Sequence, residues 1–518
     1  MFPVKKLLWA LVCGALLAGC AAAPGGNPQP PATEIPPDAV TIRLSDEGVE
    51  FPAEAGISIA NDIIYYEEGH DESYGEGEPG EAHSAEEAAA HTVVHIRAPG
   101  TYVLTGKLSA GQIAVDLGEG AKDDPGAVVT LVLDNAEITC SVAPAILFYN
   151  VYECGDRDKP TPNVDTSAAG ANVILADYSW NQVKGSHVAK IYQPGTEKKL
   201  HKYDAALYSR MSMNLGGGGF LDIIADNEGL DSELHLTVNS GTIAIRSGND
   251  GINTNEDGVS VTTINGGTVR IEVTGETGEG DGIDSNGWLV INGGNVFAHG
   301  CGTSGDAGID SDMGIHLNGG TVIATGNMLD RIEEGGQTHA VFQFAQRQEP
   351  GVYTLKNAAG DTVLEKDVPN PFGYLLLSAP ELTEGTYTLW SGDSRFQGIV
   401  SQTGSGGFFG DHQPIERPDW PGRGDGDVEI PPQPTMPVVP QGQTPENMPV
   451  PGLPEDFDPD RMPSGPMPQG GENMPVPDMP GGVQPPEGSI QFIQTGVLST
   501  EFPIRAGANY FSFLQKSE

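Results

Sequence analysis

A repeat restricts what this chain can fold into more than any other feature. Between Leu230 and Val322 the segments NEGLDSE, NDGINTN, GDGIDSN and DAGIDSD recur, followed by the turn phrases VNSGTI, INGGTV, INGGNV and LNGGTV. The turn asparagines, Asn239, Asn265, Asn292 and Asn318, are spaced by 26, 27 and 26 residues. A unit of that length cannot bury its apolar face alone and must stack on its neighbours. The leucine-rich horseshoe and the parallel β-helix both use such units, and no L-x-x-L-x-L-x-x-N pattern is present. The segments TIAIRS, TVRIEVTG and TVIATG alternate apolar and polar residues and are rich in β-branched side chains, which favours strands. Parallel strands joined by right-handed crossovers are the strong default. The expectation is therefore an all-β chain: a right-handed single-stranded parallel β-helix, with a C-terminal β-hairpin cap and a disordered Pro-rich tail. The cap is expected from VYTLKNAAGDTVL, YLLLSAPEL and TYTLWSGD, because an open end would leave backbone groups unpaired.

The organisation follows from composition. Residues 1–20 carry Lys5 and Lys6, then ten apolar residues from Leu7 to Leu16. Ten residues of helix span about 15 Å, too little for a bilayer, so the segment reads as an export signal. Leu17-Ala18-Gly19-Cys20 resembles the bacterial lipobox, which implies an acylated Cys20 and a protein exported and lipid-anchored to the outer face of the bacterial cell membrane. A soluble secreted protein is the alternative. Residues 21–40 read as a tether. Residues 41–400 form the folded domain, with an acidic loop at 67–90 and an insertion at 155–203. Residues 401–488 read as a disordered Pro/Gly/Met-rich linker, since 21 of the 41 prolines fall between Pro414 and Pro486. Residues 489–518 are a short apolar strand segment expected to dock back on the domain or on a partner.

The formal charge is −45, and loss of Lys5 and Lys6 takes it to −47, with 24 basic against 71 acidic residues. Such a surface repels nucleic acid and anionic headgroups, so no nucleic acid partner is expected, and the membrane is met through the lipid anchor only. Cations are attracted. Beyond Cys13 and Cys20, the thiols Cys140, Cys154 and Cys301 include no C-x-x-C and point to neither a zinc site nor a disulfide framework.

The repeats stack acids. The residue after each core aliphatic is Asp231, Asn253, Asp284 or Asp310, and strand alternation is expected to turn it outward, away from Leu230, Ile252, Ile283 and Ile309. Glu233, Asn255, Asn286 and Asp312 lie two places further on, and Glu228, Asp250 and Asp281 precede the glycines. Carboxylates about 4.8 Å apart repel by roughly 3.5 kcal/mol at an effective dielectric of about 20. Either they take up protons or a cation sits between them. Oxygen-only donors suit Ca2+ better than zinc or copper, so Asp231, Asn253, Asp284, Asp310, Asp250, Asp281 and Asp312 are the candidate metal ligands. Screening by salt and water is the alternative. The turn asparagines are expected to stack as a hydrogen-bonded amide ladder of structural purpose.

The segments GTYVLTGKLSAGQIAVDL, LVLDNAEIT, AALYSRMSMNLGGGGFLDI, the four repeats and LLLSAPELTEGTYTLWSGD, covering about Ile96 to Asp393, resemble bacterial cell-surface lipoproteins with a carbohydrate-binding domain of the pectate-lyase-like parallel β-helix type. That resemblance implies non-catalytic, calcium-dependent binding of acidic polysaccharide such as polygalacturonate, and of cellulose. The Asn253 rung, the insertion and the long proline tail depart from the family pattern.

A polysaccharide lyase acting on uronate polymers is the alternative, and would need calcium with a basic residue; Arg246, Arg270, Lys190, Lys199, Lys202 and Arg210 are the available ones. A hydrolase would draw on Asp281 with Asp284, but a pair within a repeated motif argues for structure. A structural adhesin or surface spacer stands third. Tyr192, Tyr203, Tyr208 and Trp288 fall near or within the repeats without regular spacing, so they do not define a sugar platform.

Overall fold

The computed structural model describes residues 35–61, 85–185, 204–400 and 498–517. Cys20 and its signal segment, most of the tether and acidic loop, residues 186–203 of the insertion, the Pro-rich linker and residues 489–497 lie outside the described residues. Among the described residues, no helix is long and apolar enough to cross a membrane.

Each repeat folds as strands that pair in parallel with the same strands of the next repeat. Leu230 faces Ile252 in register, and Ile252, Ile283 and Ile309 continue that row through isolated bridges. A second ladder aligns Val238, Ile264, Ile291 and Leu317, and a third aligns Ile243, Val269, Val296 and Val322. All of these aliphatics are buried in one continuous core. The β-branched alternation therefore holds on the inward side of these strands, which is apolar, while the other side is polar in Thr268–Val273 and apolar at Trp288 and Val290.

The expected single-stranded parallel β-helix is corrected at the level of the sheets. The strands join one mixed sheet of 24 strands and a second sheet of seven, rather than closing into a regular solenoid. The all-β class stands. The physical reason lies where the rhythm stops: Thr321–Gly326 pairs antiparallel with Phe372–Ser378, which carries the parallel ladder into an antiparallel one within the same sheet.

Beyond that seam, Gly351–Asn357, Thr362–Val368 and Gly385–Ser391 pair antiparallel around a second core of Phe342, Phe344, Tyr353, Phe372, Phe396, Phe502 and Phe511. The last segment completes it. Ala508–Lys516 pairs parallel with His339–Gln348 and antiparallel with Ser394–Val400, so the chain end docks on its own domain. The stretch read as an insertion is also more regular than its composition predicts, because Ala171–Leu175 and Trp180–Gly185 are in-register strands of the large sheet.

Candidate functional site

The acids of the repeats form rows on the seven-stranded sheet. Tyr208, Asp231 and Asn253 are register partners, and the bridges at Ile283 and Ile309 place Asp284 and Asp310 next in line. Pointing outward from the aliphatic row does not bring the first part of the acid row to solvent. Asp231 is 0% exposed and Asn253 3%, whereas Asp284 and Asp310 are half-buried and Asp312 is exposed.

Two carboxylate clusters result. Asp204, Glu228 and Asp231, all buried, have ligand oxygens within 4.8 Å of one another, and so do Asp281, Asp284 and Asp310. Asn253 divides the clusters in the row. Its Nδ2 donates to Glu228 Oε1 at 3.0 Å, while its own Oδ1 is buried with no hydrogen-bond partner among the described residues. The same is true of Asp204 Oδ1. An orphaned buried oxygen is costly, and it is what a cation's ligand looks like without the cation. The donors are all oxygen, so they fit a hard divalent ion such as calcium.

Of the expected ligands, Asp231, Asp281, Asp284 and Asp310 are in clusters. Asp250 belongs to neither, and its Oδ1 accepts from the Asp281 N–H at 2.6 Å. Asp312 belongs to neither as well. Asp204 and Glu228 were missed as ligands, although aligning Leu207 with Ile252 would have placed Asp204 beside the Glu228 row.

The electrostatics agree with crowding. Burial, then Asp310, pushes the Asp281 carboxyl up to about 8. Burial, then Asp330 and Asp284, pushes Asp310 up to about 7. Burial, then Glu228, holds Asp250 well above the ordinary carboxylate range. Tyr208, fully buried beside the first cluster, donates to Glu233, and burial raises its phenol well above its usual value.

A groove of about 760 Å³ runs along a different face, within the range of about 300 to 1,000 Å³ usual for ligand sites. Asn172, Asn214, Thr237, Thr263 and Val290 form its floor as successive register partners. One wall carries Asn239, Asn265 and Asn292 from the amide ladder, in which Asn265 donates to Asn239 at 2.9 Å, Asn292 to Asn265 at 2.9 Å and Asn318 to Asn292 at 2.8 Å. The other wall is the 162–167 loop, fixed where Thr166 Oγ1 donates to Asn214 Oδ1 and accepts from Thr237 Oγ1, at 2.7 Å each. Asp165 is the one ionisable side chain among the described lining residues. A smaller cleft of about 440 Å³ is lined by Lys122, Arg157 and Arg210 together with Asp123, Glu153 and Glu233.

The bases weighed for lyase chemistry are dispersed. Arg246 lies 4.0 Å from Glu272, Arg270 stacks over Phe297, and Arg210 stacks over Tyr149. Lys190, Lys199 and Lys202 lie outside the described residues.

Residues 90–340 match the family model described as Carbohydrate-binding domain-containing protein. Both carboxylate clusters and the groove fall inside this carbohydrate-binding match, which supports carbohydrate binding in the broad sense. A solved structure, described as the polysaccharide lyase-like protein from C. thermocellum, gadolinium derivative, is 19% identical and covers 54% of this chain and 89% of its own. The TM-score of that superposition is 0.36. No curated protein matches the chain.

Proposed function

We propose that this protein binds polysaccharide without transforming it, and that calcium held at the two carboxylate clusters supports the binding domain. The groove carries this reading. Its amides and hydroxyls repeat once per rung, about every 4.8 Å, and each exposed ladder asparagine keeps one N–H and an oxygen lone pair for a ligand hydroxyl. Among its described lining residues there is no histidine, lysine, arginine or pair of acids to act as base or nucleophile.

Acidic sugar is the ligand class we favour, because calcium offers a bridge between a negative protein and a negative glycan. The domain should be retarded in native gels containing polygalacturonate, and chelator should abolish the shift. Equal mobility with and without the polymer removes the acidic-polysaccharide reading, and retardation that survives chelator removes calcium from it. The alternative, a uronate lyase, requires a rise in ultraviolet absorbance from unsaturated product, and a flat trace with calcium at alkaline pH disposes of it.

We place the protein at the outer face of the cell membrane through acylated Cys20. Incorporation of labelled palmitate that is lost in Cys20→Ser tests this, and equal labelling of the variant refutes it.

A further inference from the structure

Trp180 and Phe220 form an aromatic surface that neither the clusters nor the groove uses, and Tyr178 stands exposed in the adjoining turn. Trp180 and Phe220 are register partners on adjacent parallel strands, and their rings lie 6.5 Å apart at an interplanar angle of 14°. Trp180 is 45% exposed and Tyr178, in the turn just before it, is 90% exposed. The backbone here is unusual. Tyr178 has φ 62° and Asn135, whose Oδ1 accepts from the Trp180 backbone N–H at 3.2 Å, has φ 55°. A left-handed tyrosine is uncommon, and such residues persist where the surrounding structure fixes them, often at functional sites.

The surroundings suit one kind of occupant. Two residues along each strand from the rings, Gln182 and Asp222 are paired, with Gln182 Nε2 donating to Asp222 Oδ2 at 2.9 Å. Flat rings with an amide and a carboxylate beside them match a pyranose, which has an apolar face and a rim of hydroxyls. Phe220 also follows Gly217, a lining residue of the groove, across the Gly218-Gly219 turn, on which the Asp177 carboxylate and the Ser179 hydroxyl pack.

We propose that Trp180 and Phe220, extended by Tyr178, are a stacking platform for pyranose rings of a polysaccharide, with Gln182 and Asp222 reading its hydroxyls. The platform rests on the carbohydrate-binding reading and adds to it a second contact region, one that recognises ring faces rather than charge. It therefore accepts a neutral glycan as well as an acidic one.

The test uses the mature full-length chain in affinity gels with polygalacturonate and, separately, with neutral hydroxyethylcellulose. Trp180→Ala should weaken binding roughly tenfold or more, the scale of a central aromatic contact, and Trp180→Phe should restore most of it. Tyr178→Gly separates binding from folding, because glycine relieves the left-handed backbone while removing the ring. It should leave the melting temperature unchanged or raised and still weaken binding. If the wild type binds either polymer and both Trp180→Ala and Tyr178→Gly bind equally well, the platform falls while the carbohydrate reading stands. If the wild type binds neither polymer, the carbohydrate reading fails and the platform with it. A wild-type dimer that Trp180→Ala converts to monomer assigns the surface to self-association instead and overturns the proposal.

Discussion

At the scale of single residues, the decisive group is Asp281. Its carboxyl is pushed up to about 8 by burial and by Asp310, while its Oδ1 accepts the Ala307 N–H. Asparagine keeps that acceptor and removes the charge. In chelator at pH 8, Asp281→Asn should therefore melt higher than the wild type, because the uncompensated repulsion within its cluster is gone. With calcium the order should reverse. Calorimetric titration should show the ion count falling from two to one, since the Asp204 cluster is untouched, and an unchanged count removes the second site. The repeat puts five of the six clustered acids in its rows, Glu228 among them, but only Asp231, Asp281, Asp284 and Asp310 are read from it as ligands. Asp204 escaped because its rung has lost the glycine phrase that marks the others. The burial of Asp231 was also not legible: strand alternation says which side of a strand a residue takes, not what lies over that side.

At the scale of elements, turns and amides set the stacking. Gly267, Gly294 and Gly320 have φ of 79°, 80° and 83°, and a Cβ on Gly294 would sit 2.7 Å from the backbone of the preceding turn. Gly294→Ala combines a left-handed backbone with a steric clash and should cost at least about 2 kcal/mol, read as a lower urea midpoint at unchanged slope. Asn265→Ala removes one amide bond given to Asn239 and one received from Asn292. Because the ladder is exposed, the loss should be only about 1 to 2 kcal/mol, and a neutral result would mean that water replaces both bonds fully. The Asn-Gly-Gly phrases made the parallel pairing of consecutive repeats readable. How the sheets end was not readable, since the seam between Thr321–Gly326 and Phe372–Ser378 joins segments that share no repeat. The aromatic surface was hidden for a similar reason: Trp180 and Phe220 become neighbours only through the register of two strands whose sequences have drifted from the consensus.

At the scale of the whole molecule, two groups of buried titratable side chains oppose each other. Asp281 and Asp310 have folded values of about 8 and about 7, and Asp250 lies well above the usual carboxylate range. Raised carboxyls make the folded state bind more protons than the unfolded one from about pH 4 upward, so the stability they carry is full below that point and is lost as pH rises through 7 to 8. Burial acts the other way on His235 and His299, whose folded values drop to about 4 and about 3. Their contribution is full above about pH 6.5 and is lost as pH falls toward 4 and 3, because the unfolded imidazoles take up protons first. In chelator the two branches oppose each other between about pH 4 and 6.5 and largely cancel, whereas above pH 6.5 the acids act alone, giving a melting temperature that changes little below about pH 6 and falls toward pH 8. Calcium competes with protons for the same carboxylates, so it should flatten the alkaline branch and leave the acid branch, which belongs to the histidines, where it was. At a free ion concentration a hundredfold above the dissociation constant, each occupied site adds about 2.7 kcal/mol, enough to move a midpoint by several degrees. Scanning calorimetry from pH 4.5 to 8.5, with EDTA and with calcium, reads both branches in one experiment. A chelator curve that climbs to pH 8, or one that calcium shifts equally at every pH, would mean that the buried acids are ionised without a counter-ion and that calcium acts elsewhere.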